Sequence, residues 1–414
     1  MLQKIKYSKI DKFLYQDKLD NKLGLIIAPL ANVSTCKIGL NLSVGYYGRY
    51  YYFDKVKMGP GIIRIICSCL IKKHSEKANN LFNKDVDFKI NYFESYTSFE
   101  VSCENKQAGN YLTSLLHLFD SLDITNDELE EVKKEIISKL DEEKTPSDLI
   151  RSNLYINSPM SFDSKGSKEE INKIHLPQVR KFFNYFFKPD YLTLFVVGNL
   201  NPEDVYNFAN KMVFASKDKV EEPVIKSFKE NYEKVESSLG YTSKENHLIL
   251  GMKFYPRKVI FEKFSKDMFS YYFLLTHIVF SKFNNNLKNV FDSSFSLENV
   301  SLNQGGEDAF LTLDFKTGYS EKLEEELKSF ISKGGEMIAK KDFKFGQKVI
   351  FKQYKQLYST DLNLYYNDLL DAFANEFAAP NLVEQASKIK YKHFANFLDF
   401  ISKKFPTSIL ISKK

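Results

Sequence analysis

Cys67, Ser68, Cys69 and His74 form the densest cluster in this chain of side chains that could hold a metal or act as nucleophiles. Their spacing argues against a metal. On a helix, positions i and i+2 point about 200° apart, so the two sulfurs would not converge on one ion. Buried, inert thiols are the expected outcome. The six histidines, His74, His117, His175, His247, His277 and His393, include no i, i+4 pair. There is no Gly-x-Ser-x-Gly elbow, and Asn303-Gln304-Gly305-Gly306 lacks the strand-to-helix setting of a phosphate loop. Arg64, Cys67 and Ser68 share one helical face at i, i+3 and i+4. Taken alone, that face fits an ordinary buried helix with one paired Arg.

Composition bounds the classes left. At 414 residues, the chain is long enough for two to three domains with substantial cores. Its 43% hydrophobic and 27% charged residues are those of a globular protein. The net charge of +6 is dispersed, without a dense Lys/Arg block, so nucleic acid is not an expected partner. Met1 to Asp20 is charged throughout and predicts no secretory signal. The longest apolar run, Gly61 to Ile71, is broken by Arg64 and is too short to span a bilayer. Four cysteines, Cys36, Cys67, Cys69 and Cys103, suit a reducing cytoplasm. Heavy use of Lys, Asn, Ile, Phe and Tyr, with no Trp, points to an AT-rich bacterial genome.

The elements that must position these residues follow from periodicity. Strands are predicted over 23–30, 37–44, 88–93, 96–103 and 191–197, with helices over 61–71, 108–122, 127–139 and 177–187. Asn126 is expected to cap the acidic helix, and Asn201 with Pro202 opens another. Residues 216–246 are polar and read as a linker. The order then repeats: strands over 247–254, 295–302, 309–316 and 407–412, helices over 261–283, 321–339, 343–357, 362–377 and 391–403. Lys/Glu runs at 127–143 and 320–328 read as solvated helix faces. Two halves with one element order imply an internal duplication of α+β type, divided as 1–220 and 221–414.

Four motifs, in order, resemble the pitrilysin/insulinase family of inverted zincins, in its short bacterial form. Leu19-Asp20-Asn21 to Ala28-Pro29 is similar to the family's opening strand. Gly61 to Leu70 falls on its metal helix. Ser95-Tyr96-Thr97-Ser98-Phe99 is similar to Asn-Ala-Tyr-Thr-Ser-Phe, with Glu94 in place of Asn. Phe187-Lys188-Pro189-Asp190-Tyr191 to Val197-Gly198 is similar to Tyr-x-Pro-x-Asn-Met…Val-Val-Gly. The resemblance implies two similar α+β domains, each an antiparallel-rich sheet covered by helices, forming a clam-like pair.

In that family two histidines at i and i+4 hold Zn²⁺ and the glutamate between them activates water. Here Arg64, Cys67 and Ser68 occupy those positions, and Glu135 is the best match to the third ligand. Active members also supply an Arg and a Tyr to the substrate; the match puts Lys288 and Phe295 there. Lys keeps the charge without the bidentate fork, and Phe lacks the hydroxyl. The resemblance therefore implies no catalytic and no metal residues in this chain, with Arg64, Cys67, Ser68 and Glu135 as lapsed positions. Glu94, Tyr96, Thr97, Ser98, Lys288 and Phe295 would face substrate. The expected role is the inactive subunit of a heterodimeric zinc peptidase, with zinc in a His-x-x-Glu-His partner and peptide as substrate. The alternative is a non-proteolytic binding or assembly scaffold of the same fold. Where zinc is lost, Arg64 is expected to pair with Glu135, or with Glu131 one turn away.

Overall fold

The computed structural model describes residues 2–7, 10–45, 49–53, 55–59, 61–76, 81, 86–93, 96–140, 146–155, 166–227, 236–242, 247–253, 264, 268–288, 295–305, 308–318, 320–374, 381–404 and 407–413. The chain divides into two compact units, each assembled from three stretches of sequence.

Unit 1 comprises Met1–Glu142, Phe162–Phe228 and Lys355–Ala379. Its strands are β1 (Gln3–Tyr7), β2 (Lys12–Lys18), β3 (Gly24–Pro29), β4 (Thr35–Leu42), β5 (Arg49–Phe53), β6 (Val56–Met58), β7 (Asp87–Tyr92), β8 (Thr97–Glu104), β9 (Leu192–Gly198) and β10 (Val224–Ser227). Seven form one sheet in the order β1-β2-β3-β9-β4-β8-β7; only β3 and β9 run parallel. A small sheet, β10-β5-β6, stands apart. β9 is buried at every residue, which is why it reads as a continuous apolar run rather than an alternating one. Leu25 and Ile27 of β3, Ile38, Leu40 and Leu42 of β4 and Phe99 and Val101 of β8 belong to one core cluster with residues of α1 (Ile62–Glu76), α2 (Ala108–His117), α3 (Asn126–Ser138) and the Leu176–Phe186 helix.

Local chemistry explains the helix starts. Thr125, not Asn126, is the cap of α3. Its hydroxyl accepts from the Glu128 N–H at 3.2 Å, and the Glu128 carboxylate accepts from the Thr125 N–H at 2.6 Å. This reciprocal box satisfies two orphan donors, which a lone Asn could not. Asn201 does cap the Pro202–Lys211 helix, its side chain accepting from the Glu203 N–H at 3.1 Å.

Unit 2 comprises Glu143–Ser161, Lys229–Tyr354 and Pro380–Lys414. Its strands are β11 (Glu236–Thr242), β12 (His247–Lys253), β13 (Ser296–Gly305), β14 (Asp308–Lys316) and β15 (Thr407–Lys413), in the order β11-β15-β12-β14-β13. Only β11 and β15 are parallel. This matches β3-β9-β4-β8-β7 strand for strand and direction for direction, so the duplication is a repeat of topology. The 216–246 stretch is not simply a linker: it holds β10 and β11. β10 is only four residues long and β11 is largely polar in sequence, so composition alone concealed them.

The repeat includes an exchange of helices. Pro146–Leu154, from the first half of the sequence, packs on β12 and β15 of unit 2. Leu362–Ala374, from the second half, packs on β4 and β9 of unit 1. Each approach is made possible by a glycine. A Cβ at Gly39 of β4 would overlap the Tyr366 hydroxyl, and one at Gly251 of β12 would overlap the Ile150 side chain. Among the described residues, no helix is long and apolar enough to cross a membrane.

Candidate functional site

α1 follows Gly61, whose φ of 95° turns the chain into the helix. Ile62, Ile63, Ile65, Ile66, Cys67, Cys69 and Leu70 are buried, while Arg64 and Ser68 are half-buried on one face. The Arg64 guanidinium sits 4.4 Å from the ring centroid of Tyr92, the last residue of β7. Beneath it, burial pushes the Cys67 thiol far above its ordinary range, only partly offset by the Tyr92 hydroxyl and the Arg64 charge. Burial also raises Cys69, to about 12. Both sulfurs are therefore neutral thiols at physiological pH, poor nucleophiles and poor ligands.

Zinc does not suit this face. A guanidinium, a neutral buried thiol and a hydroxyl cannot replace the deprotonated nitrogen and oxygen donors that a catalytic zinc needs. Among the described residues, no group of three or more His, Cys, Asp or Glu could hold a metal ion.

The expected Arg64–Glu135 tie does not form. α3 packs against α1, but its buried stripe is Leu129, Val132 and Lys133. Glu135 falls on the far side of that stripe and is exposed. Glu131, the other expected partner, pairs instead with Lys72 near the C-terminal end of α1. That placement also sets a positive side chain at the negative end of the helix dipole. The aromatic face of Tyr92 lies against the arginine.

Of the residues expected to meet substrate, Glu94 lies outside the described residues. Tyr96, Thr97 and Ser98 are buried. The Thr97 hydroxyl donates to the Val44 carbonyl at 2.9 Å, and that of Tyr96 to Asp371 at 3.4 Å. Ser98 donates to Glu100 at 2.8 Å. Their strand, β8, is paired on both sides, by β4 and β7, so no peptide strand can add to it. The sheet edge on this side is β7, and β1 is the opposite edge. Tyr92 at the end of β7, half-buried and against Arg64 of α1, is a site residue that the motif in the neighbouring strand did not point to. In unit 2, Lys288 is exposed just after the Ser281–Leu287 helix, and Phe295 is buried, its ring 5.9 Å from Phe315.

Ser98 leads to a second polar group, on the sheet face covered by the 362–374 helix. Lys37 and Glu100, both nearly fully buried, form an ion pair at 2.9 Å. The Lys37 ammonium lies 4.4 Å from the ring centroid of Tyr366, whose hydroxyl is 3.5 Å from Ser98. These contacts fasten the exchanged helix to the sheet.

The sequence profile of the Peptidase M16 inactive domain matches residues 173–333. No curated protein matches in sequence. Solved structures share the fold. A putative M16-like peptidase from Alicyclobacillus acidocaldarius superposes with a TM-score of 0.78 at 13% identity, over 99% of this chain and 100% of that one. The first half of the periplasmic protease PqqL from Escherichia coli gives 0.71 at 12%, over 96% and 91%. A protease from Helicobacter pylori gives 0.71 at 15%, over 96% and 99%. The chain thus has the fold of M16-like peptidases, matches the profile of their inactive domain over residues 173–333, and contains no His-x-x-Glu-His motif.

Proposed function

We propose that this chain is the non-catalytic subunit of a heterodimeric zinc metalloendopeptidase, holding peptides for a partner chain that carries His-x-x-Glu-His and the zinc. The observation that carries this reading is the contrast within unit 1. The apolar frame of α1 and its packing are intact, while its chemical positions are Arg64, Cys67 and Ser68. Beside it, β7 ends the sheet. An extended peptide can add to such an edge through main-chain hydrogen bonds. In this reading the exposed Lys288 contributes a positive charge for an acidic or C-terminal carboxylate group. The chain needs no cofactor of its own, binds no nucleic acid, and works in the cytoplasm on small peptides or peptide leaders.

The test is co-expression of the full chain with a His-x-x-Glu-His homologue from the same genome. The expected result is a zinc-containing complex whose kcat/KM on an unstructured peptide exceeds that of the homologue alone by at least tenfold. Failure to co-purify, together with an unchanged kcat/KM on mixing, would overturn the subunit reading and leave a non-proteolytic scaffold.

A further inference from the structure

Two cysteines outside α1 face each other across the sheet of unit 1. Cys36 and Cys103 are directly opposed on β4 and β8, and their sulfurs are 3.5 Å apart. The Asn105 N–H bonds the Ser34 carbonyl at 3.1 Å, marking a hydrogen-bonded pair two residues outward. Pairing alternates along an antiparallel ladder, so 36/103 is also a hydrogen-bonded pair, with a Cα separation of about 5.5 Å. Disulfides span roughly 4.4–6.8 Å between Cα atoms. Side-chain rotation alone can therefore bring the two sulfurs to bonding distance.

The two thiols are not equivalent. Cys36 is fully buried, whereas Cys103 retains 8% exposure. Cys103 opens onto a cavity of about 720 Å³ that is also lined by Thr35, Asp87, Glu104, Gln107 and Tyr111. The Cys36 thiol next to it favours the Cys103 thiolate, lowering its pKa against burial and the Glu104 charge. Cys36 is shifted the opposite way by the same contact. A thiolate-prone sulfur that lines a cavity, backed by a fully enclosed second thiol, is the arrangement of an oxidisable and a resolving cysteine.

We propose that Cys36 and Cys103 form a redox-reactive dithiol that a hydroperoxide converts to a disulfide. The Cys103 thiolate attacks the terminal peroxide oxygen. The O–O bond breaks and the leaving oxygen departs as water or an alcohol once protonated, giving a sulfenic acid. Cys36 then loses its proton and attacks the Cys103 sulfur; the S–O bond breaks and a second oxygen leaves as water. Two thiols are oxidised by two electrons, and the peroxide is reduced by two. The bond would enclose α1 and β7 in one covalent loop. The inference does not depend on the peptidase reading.

The experiment uses the native full-length chain and hydrogen peroxide. After treatment, the protein is denatured, alkylated, digested and mapped by mass spectrometry. The expected result is a linked Cys36–Cys103 peptide, with Cys67 and Cys69 alkylated and the link removed by dithiothreitol. In Cys36→Ser, dimedone should instead trap a sulfenic acid on Cys103. Cys103→Ser should lower the rate of peroxide consumption at least tenfold. Four alkylatable thiols after treatment of the wild type, or oxidation at Cys67 or Cys69 ahead of Cys103, would overturn the proposal. Because that mapping is done on the unmodified chain, a variant that fails to fold does not rescue it.

Discussion

Replacing Lys37 by Met tests whether the ion pair beneath the exchanged helix holds unit 1 together. The substitution keeps the volume and length of the side chain but removes the charge. Glu100, only 4% exposed, would lose its partner at 2.9 Å and keep the Ser98 hydroxyl as a donor at 2.8 Å. The ammonium over the Tyr366 ring is lost as well. Breaking a buried pair by removing one member costs about 3–5 kcal/mol, most of it the penalty for the stranded charge. For a folding unit of this size, that is about 6–20 °C in Tm, at about 2–4 °C per kcal/mol. The assay is thermal and urea unfolding of the full chain, followed by near-ultraviolet circular dichroism, since Tyr366 and its neighbours report on the helix. Lys37→Met/Glu100→Gln should recover at least half the loss, because the neutral amide can still accept from Ser98 and no charge is left buried. A single variant within about 0.5 kcal/mol of wild type, the range of an ordinary surface change, would refute the reasoning. So would a double variant no better than the single one.

Gly39→Ala should destabilise unit 1 by about 1–3 kcal/mol, the usual cost of overpacking, because the new methyl overlaps the Tyr366 hydroxyl; Tyr366→Phe should relieve part of it in a double-mutant cycle. Asp368 is half-buried, accepts from the Tyr358 hydroxyl at 2.7 Å, and burial raises its carboxyl from 3.8 to about 7. Between those values the folded chain holds a proton that the unfolded chain has released, so this group's contribution to stability is lost as pH rises from about 4 to 7. Asp368→Asn should therefore gain stability over wild type across that window and stay level above it; a gain confined to low pH in urea titrations at several pH values would contradict the assignment. The triple variant Arg64→His/Cys67→Glu/Ser68→His should not bind zinc stoichiometrically by metal analysis after dialysis, because Glu135 faces solvent and the new glutamate is buried at a fully enclosed position. Peptide cleavage by that variant, abolished by a chelator, would refute the claim.

The sequence alone determined most element types and the absence of a His-x-x-Glu-His motif. β9 is apolar at almost every position because both its faces are covered, and β4 alternates because one of its faces is partly polar. The apolar frame around Arg64, Cys67 and Ser68 marked a buried helix. Those readings rest on local periodicity and residue chemistry, which are written along the chain. The tertiary structure decided what meets what. Periodicity gives the apolar face of a helix but not its partner, and two sheets of one topology offer two equivalent backs. Fit at Gly39 and Gly251 accompanies the placement of the 362–374 helix on the first sheet and the 146–154 helix on the second. The same limit applied to Glu135: its place on an acidic helix suited a ligand, but the stripe of Leu129, Val132 and Lys133 turned it to solvent. It applied to β8 as well, whose motif suggested a peptide-binding strand until pairing on both sides left β7 as the edge. Lys37 and Glu100, and Cys36 and Cys103, are far apart in sequence and meet only through strand register. Register is fixed by how a whole sheet buries its faces, which no local stretch encodes.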